Sequence, residues 1–334
     1  MSQKVSIKSI AQQIGVSNAT VSLVLNGKEK EGRVSKEMAD KIRQLAQELN
    51  YKPNNLARGL RVGRSHTIGL IVADISNLFF ANLAFHIQEY AEKYGYTVLI
   101  GNTNESEVKS RSITNSFMGR QVDGLIIVPT EDGEDNIKSL LDGKQPIVLL
   151  DRWFPNLQAS HVIVDNFRAS KKAVEYLINE KCKRIAFVVY DSKLSHMLER
   201  KRGYIKAMEE AGIYDPELIK EVRYDNLKED INAAMEDLLD KNKKVDAIFF
   251  ATNSISMIGI RKILNLKLRI PKDIRVVCFD KNDFFDFTDI PIPYIQQPIE
   301  DMGRKAVEVL IEQIENKNFA PSKIEMFTKL SNED

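Results

Sequence analysis

At 334 residues, 43% hydrophobic and 28% charged, the chain is too long for one compact core and too apolar to be disordered or fibrous; two or three domains are expected. Two cysteines, Cys182 and Cys278, exclude a disulfide framework, and four histidines with no nearby cysteine give no pattern for structural zinc. The net charge of +1 hides an asymmetry: residues 1–64 hold 12 Lys+Arg against 5 Asp+Glu, or +7, and the remainder carries −6. A small basic module on an acidic body points to a polyanionic partner.

In chain order, Ser6 is an N-cap followed by Ile7, Ile10, Ala11 and Ile14 at helical spacing, and Gly15 stops that helix. Ser17 caps a second helix with an apolar side of Thr20, Val21, Val24 and Leu25, ended by Asn26-Gly27. A third begins after Ser35, where Met38, Ile42, Leu45 and Leu49 fall on one stripe. Helix, glycine turn, helix and supporting helix make a helix-turn-helix, whose second helix enters the major groove of duplex DNA. Asn18, Ala19 and Leu23 are then expected at base edges, Asn18 offering its amide to adenine and the apolar pair meeting thymine methyls. Thr20 and Ser22 are expected on phosphate oxygens.

After Tyr51-Lys52-Pro53, the basic stretch Asn54-Asn55-Leu56-Ala57-Arg58-Gly59-Leu60-Arg61 has weak helix propensity and is marginal as an isolated helix. Leu60 between arginines suits a wedge that opens a minor-groove base step while Arg58 and Arg61 hold phosphates; the plain alternative is an interdomain linker. Together, Ser6-Ile7-Lys8-Ser9-Ile10-Ala11, Val16-Ser17-Asn18-Ala19-Thr20-Val21-Ser22, Val24-Leu25-Asn26-Gly27, Asn50-Tyr51-Lys52-Pro53-Asn54 and Leu56-Ala57-Arg58-Gly59-Leu60 resemble the lac repressor (LacI/GalR) family of bacterial transcription factors. The resemblance implies that the helix from Ser17 is the recognition helix and Leu60 the intercalating hinge residue, with Ser17, Asn26, Arg33, Asn54 and Ala57 also contacting DNA. Two positions depart from the family pattern: the loop from Gly27 to Arg33 is longer than usual, and Leu23 stands where Arg is common.

Beyond residue 66 apolar runs alternate with amphipathic helices. Strands are predicted at 67–72, 97–100, 124–128, 147–150, 185–189, 245–250 and 274–279, and helices near 79–94, 107–120, 134–142, 166–179 and 199–211. Short β-rich runs separated by helices predict an α/β core of two doubly wound parallel-sheet lobes. Ligands of such sheets bind beyond the carboxyl ends of the strands, which makes Asp74, Asp151-Arg152, Asn253 and Asp280 candidates, with aromatics at Phe79-Phe80 and Trp153-Phe154. Carboxylates, an amide and an arginine beside aromatic faces suit a hydroxyl-rich ligand such as a sugar, although each residue alone is equally a cap, a turn former or a core aromatic. The family resemblance continues through Asp74 to Phe80, Val122-Asp123-Gly124-Leu125-Ile126, Leu149-Leu150-Asp151-Arg152, Val164-Asp165-Asn166, Lys183-Arg184-Ile185-Ala186-Phe187 and Arg200 to Gly203. It implies a core like that of periplasmic sugar-binding proteins, with two lobes joined by three crossovers and effector contacts at Phe79, Asp151, Arg200, Tyr224, Asn253, Asp280 and Gln297. Leu78 replaces a common Pro, Ser254 a common Asp, Cys278 a common Gly and Lys281 a common Asp.

Three parts are therefore expected. They are a helix-turn-helix domain at 1–52, a hinge at 53–65 and an effector-binding and dimerisation core at 66–334. Within the core, lobe 1 is expected at about 66–164 and 297–323, and lobe 2 at about 165–296 and 324–334. There is no nucleophile elbow, P-loop or zinc-protease motif, so no catalytic residue, metal or cofactor is expected. The expected function is a sequence-specific DNA-binding regulator, a repressor, acting as a homodimer on a palindromic operator under control of a sugar or sugar derivative. With no apolar leader at the N-terminus and no membrane-length run, a cytoplasmic location is expected. The rival reading is a periplasmic-type sugar-binding protein that binds no DNA; the basic module and the missing leader stand against it.

Overall fold

A computed structural model describes residues 5–51, 64–240, 242–282, 284–285, 292–316 and 318–332. The chain divides into two units, Met1–Gly63 and Arg64–Asp334.

In the first unit, α1 (Ile7–Ile14), α2 (Asn18–Leu25) and α3 (Lys36–Glu48) each start at a serine whose hydroxyl accepts a backbone N–H: Ser6 from Ser9, Ser17 from Thr20 and Ser35 from Met38. Each such cap is worth about 1 kcal/mol, enough to fix where a short helix begins. Gly15 closes α1 at φ +79, a left-handed geometry that costs glycine nothing and lets α2 turn back at once. The apolar stripes meet in one small core of Ile10, Ala11, Val21, Val24, Ala39, Ile42 and Ala46.

The hinge positions Asn54, Ala57, Arg58, Leu60 and Arg61 lie outside the described residues. The expected linker reaches Ser65, but the structure ties Arg64 and Ser65 to the second unit. Asp123 Oδ1 accepts from Ser65 N at 2.7 Å and Ser65 Oγ at 2.9 Å, and Ile314 O accepts from Arg64 Nη2 at 3.1 Å. The core therefore begins at Arg64 rather than at residue 66.

The core holds two six-stranded sheets. Lobe 1 is built on β1 (Thr67–Val72), β2 (Thr97–Asn102), β3 (Gly124–Ile127), β4 (Ile147–Leu150), β5 (Ser160–Val164) and β11 (Lys323–Met326), in the order β11-β5-β4-β3-β1-β2, all parallel. Lobe 2 is built on β6 (Ile185–Tyr190), β7 (Ile219–Val222), β8 (Ala247–Phe250), β9 (Arg275–Phe279), β10 (Tyr294–Gln296) and β12 (Lys329–Leu330), in the order β12-β10-β9-β8-β6-β7, with only β12 antiparallel. Helices cover both faces, so the inner strands β1, β3, β4, β6, β8 and β9 are apolar on both sides. In β6, Ile185, Phe187 and Val189 enter one core while Ala186 and Val188 enter the other.

In lobe 1, α4 (Leu78–Lys93) and α11 (Ile299–Glu315) pack on one face, and α5 (Glu107–Gly119) and α6 (Glu134–Asp142) on the other. In lobe 2 the pairs are α7 (Asn166–Asn179) with α8 (Ser195–Glu210), and α9 (Leu227–Leu238) with α10 (Asn253–Asn265). The α7–α8 approach depends on Gly203, where a Cβ would collide with the carbonyl oxygen of Phe167. The chain passes between lobes at Asp165, at Gln297-Pro298 and at Phe327-Thr328. The last crossing corrects the expected boundary at 323/324: Lys323 to Met326 pair with β5 of lobe 1, because those four residues complete its open edge.

Candidate ligand cleft and nucleic-acid interface

The carboxyl ends of both sheets meet in a cavity of about 200 Å³. Strands β1 to β4 of lobe 1 and β6 to β9 of lobe 2 each contribute through the residues that follow them. Lobe 1 supplies Asp74 after β1, Glu105 after β2, Glu131 after β3 and Asp151-Arg152 after β4; lobe 2 supplies Asp191 after β6, Tyr224 after β7, Thr252 to Ser254 after β8 and Asp280 after β9. Phe79 and Phe80 from the first turn of α4, their rings edge to face at 5.0 Å between centroids, form an apolar wall. Of the ten candidate effector residues, Asp74, Phe79, Phe80, Asp151, Arg200, Tyr224, Asn253, Asp280 and Gln297 line this cavity.

Trp153 does not. Its indole stacks on His161 of the neighbouring strand β5, centroids 4.6 Å apart, and sits among Phe154, Leu157 and Leu149 in the core of lobe 1. Asp151 adopts φ +67, and the turn it makes sends Arg152 to the cavity and Trp153 to the sheet end. The expected sugar-stacking role of Trp153 is corrected to a packing role.

Arg200 is the centre of the charge arrangement. Its Nε donates to Asn166 Oδ1 at 2.8 Å, its Nη1 donates to the carbonyl of Ala251 at 2.6 Å, and its guanidinium lies 3.4 Å over the ring of Phe279. Burial lowers its pKa to about 10, opposed by Asp280 and Asp151. Burial raises Asp280 to about 6 against the pull of Arg200 and of Gln297, whose Nε2 donates to Asp280 Oδ1 at 2.7 Å. Asp151 is raised by burial in the same way, against Arg152 and Arg200. Arg152 is paired mainly with Glu105, which accepts from both Nη1 and Nη2 at 2.7 Å, and Pro129 O accepts from Nη1 at 3.1 Å, while its buried Nε, 3.5 Å from Asp151 Oδ2, has no hydrogen-bond partner. Burial works against the Arg152 charge, but Glu105 outweighs it and the net shift is upward. His196 is held well below the usual imidazole range by burial and by Arg152 and Arg200, so it is neutral. Its Nδ1 and Gln297 Oε1 are buried with no hydrogen-bond partner.

Three sets of hydrogen bonds cross the cleft. Asn253 Nδ2 donates to Asn77 Oδ1 at 2.7 Å and Asn77 Nδ2 donates to Asn253 Oδ1 at 3.2 Å and to Ser254 Oγ at 3.3 Å. Glu131 Oε2 accepts from Ser192 Oγ at 2.8 Å and Lys193 N at 3.1 Å, and Ser195 Oγ accepts from Trp153 N at 3.4 Å. The lobes are thus drawn together around the cavity. Among the described residues no group of three His, Cys, Asp or Glu is arranged to hold a metal ion, and no helix is long and apolar enough to cross a membrane.

In the first unit, Ser17, Asn18, Ala19 and Asn26 are exposed along α2, and Arg33 is exposed at φ +50 in the loop after it. Thr20 and Ser22 are half-buried and already bonded, Thr20 Oγ1 to Ser17 Oγ at 2.9 Å and Ser22 Oγ to Asn26 Nδ2 at 3.3 Å. Leu23 is half-buried because the long loop folds back on it. Lys28 N donates to Leu23 O at 2.8 Å, Leu23 packs on Gly32, and Glu29 clamps the loop to α3 through Arg43 at 2.6 Å.

Sequence reasoning missed several lining residues. Asn77, Glu131, Tyr190 and Asp191 stand at strand ends or a helix cap, where the strand-end rule could have found them. His196 and Met197 were hidden because α8 starts at Ser195 rather than near 199, on an N-cap, Leu194, that makes no side-chain cap bond.

A helix-turn-helix unit followed by two doubly wound lobes enclosing a polar cleft defines a ligand-responsive DNA-binding protein. Residues 6–54 match the bacterial regulatory proteins of the lacI family, and residues 174–332 match the periplasmic binding protein-like domain. The chain is 32% identical over 329 residues to the ribose operon repressor of Halalkalibacterium halodurans (strain ATCC BAA-125 / DSM 18197 / FERM 7344 / JCM 9153 / C-125), covering 97% of this chain and 95% of that one. It is similar to the solved complex of the transcriptional regulator CelR with cellobiose, with a TM-score of 0.72 and 25% identity over 98% of each chain. It shares its fold with the lac repressor dimer bound to operator, at a TM-score of 0.86 and 21% identity, again over 98% of each. The chain belongs to the lacI family of bacterial regulatory proteins and is a DNA-binding transcriptional regulator.

Proposed function

We propose that the protein is a cytoplasmic, homodimeric repressor whose operator affinity is set by a small hydroxylated effector held between the lobes, and that it acts by binding rather than by catalysis. One observation carries the effector half of this reading: a single cavity gathers Asp151 and Asp280 from the ends of strands 129 residues apart, Arg200 from α8 and Asn253 from the start of α10, at the carboxyl ends of both sheets. The CelR–cellobiose complex supports a sugar as the ligand class. Effector occupancy shifts the balance between lobe arrangements, and the hinge segments of a dimer convert that shift into DNA affinity.

On the DNA side, Asn18 and Ala19 read base edges, Ser17, Thr20, Ser22, Asn26 and Arg33 set the helix against the backbone, and Leu23 contributes only its uncovered face. Hinge residues Asn54, Ala57, Arg58, Leu60 and Arg61 occupy the minor groove, with Leu60 as the wedge. The test is selection of a palindromic duplex by the full chain, followed by titration in rising salt. Specific binding should fall steeply with salt, Asn18→Ala should cost about 1–3 kcal/mol at one base position per half-site, and Leu60→Ala should lower affinity and bending together. Equal affinity for random and selected duplexes at physiological salt would refute the reading.

A further inference from the structure

The lining of the cleft is unbalanced in charge. Asp74, Glu105, Glu131, Asp151, Asp191 and Asp280 face only Arg152 and Arg200, a formal charge of −4. Neither guanidinium is free to neutralise an incoming anion. Arg152 is already paired with Glu105, and Arg200 donates to Asn166 and to the Ala251 carbonyl while the nearby charges of Asp280 and Asp151 balance its own. The first turns of α4, α8 and α10 also line the cavity, and each helix N-terminus is worth about half a positive charge, so together they offset less than half of the deficit.

The hydrogen-bonding character leans the same way. Carboxylates accept only, and the unpartnered buried atoms of the lining residues are one donor, Arg152 Nε, one acceptor, Gln297 Oε1, and the Nδ1 of neutral His196, which accepts in one of its tautomers. Such a site is satisfied by a ligand that brings hydroxyl donors and no charge of its own. A volume of about 200 Å³ lies below the ~300 Å³ at which drug-sized sites begin. Phe79 and Phe80 give an apolar wall for the C–H face of a ring.

We propose that the cleft selects by charge: its effector is an uncharged, hydroxyl-rich molecule of monosaccharide size, and phosphorylated or carboxylated sugars are rejected. The ligand's hydroxyls donate to Asp151, to Asp280 and to Gln297 Oε1, while Arg200 Nη2 donates to a hydroxyl or ring oxygen. This inference rests on the effector reading of the cleft and adds to it the ligand's charge, which nothing in that reading fixes.

The experiment uses the full chain and matched probes. D-ribose, D-glucose and D-galactose are compared by thermal shift and calorimetry with ribose 5-phosphate, glucose 6-phosphate, D-glucuronate and inorganic phosphate, each at about 10 mM. At least one neutral sugar should raise Tm and saturate, and its charged partner should bind at least ~30-fold more weakly, a difference of about 2 kcal/mol. Asp151→Asn keeps the shape of the site and reduces its negative charge, so the gap between neutral and charged partners should narrow. A charged probe that binds as tightly as its neutral partner overturns the charge selection and leaves a sugar-binding cleft in place. If no probe of either kind raises Tm or releases heat, the sugar reading itself falls, and the selection with it.

Discussion

The two lobes of the core are the same construction used twice. Strand for strand, β11-β5-β4-β3-β1-β2 corresponds to β12-β10-β9-β8-β6-β7, and the third strand of each ends in an aspartate with a left-handed backbone, Asp151 at φ +67 and Asp280 at φ +70. Each aspartate hydrogen-bonds its N–H to the neighbouring strand, Asp151 to Val162 O at 2.9 Å and Asp280 to Ile295 O at 3.0 Å. Asp tolerates this conformation better than most residues, and the turn aims its carboxylate into the cleft. The lobes differ in the residue after that aspartate and in how the acid is braced. Lobe 1 places Arg152 next to its aspartate and neutralises that arginine with Glu105, whereas lobe 2 places exposed Lys281 there and braces its aspartate with Gln297 from the crossover. One fold thus presents two similar acids, and only the surrounding side chains distinguish them. Both acids also feel one cation, Arg200, which belongs to lobe 2, although Asp151 has Arg152 beside it as well.

The strongest way to break the symmetry is to remove that cation. Arg200→Met leaves buried Asp280 without a cation and Asp151 with Arg152 alone, and loss of a buried counter-charge costs about 3–5 kcal/mol. Urea unfolding of the isolated variant should show this loss together with loss of effector response. A loss below about 1 kcal/mol would mean that the two acids do not share Arg200.

Next in size is the cost of charging Asp280. Its folded pKa of about 6 lies above the 3.8 of a free aspartate, so the fold holds the proton more tightly than the unfolded chain does. Stability from this group is therefore full below pH 4 and is lost as pH rises toward 6, a cost on the order of 3 kcal/mol at pH 7. Asp280→Asn should raise Tm at pH 7.5 and keep only about half of that advantage at pH 5, while weakening effector binding. The same Tm gain at both pH values would assign the effect to packing instead of charge.

The smallest effect is expected at the bridges between lobes. Glu131 is exposed, and its bonds to Ser192 and Lys193 cross the cleft, so Glu131→Ala should weaken effector affinity by about 0.5–1.5 kcal/mol and leave urea stability unchanged within about 0.5 kcal/mol. If stability falls and affinity does not, the bond is a brace of the core and not a latch on the ligand.

The sequence alone determined whatever is written locally. Ser6, Ser17 and Ser35 mark three helix starts because a cap acts across three residues, and Gly15 marks the turn because a left-handed backbone is a property of one residue. The runs that became β1, β3, β4, β6, β8 and β9 were legible because strands buried on both faces must be apolar throughout. From those runs the acids at their ends, Asp74, Asp151 and Asp280, followed directly. Tertiary structure decided the rest. Polar or charged residues interrupt β5, β7, β10, β11 and β12, so no apolar run announces them, and the last two exist because a sheet edge is there to pair with. The start of α8 at Ser195 has no capping side chain to announce it, so His196 entered the cleft unseen. Arg152 and Glu105 are 47 positions apart, and only packing could show that one neutralises the other. Trp153 makes the same point from the opposite side. Its position after a strand suited a ligand contact, and a histidine on the adjacent strand claimed its ring. Local signals place elements because their energies act within a few residues, whereas the charge of a cleft is a sum over side chains that only the fold assembles.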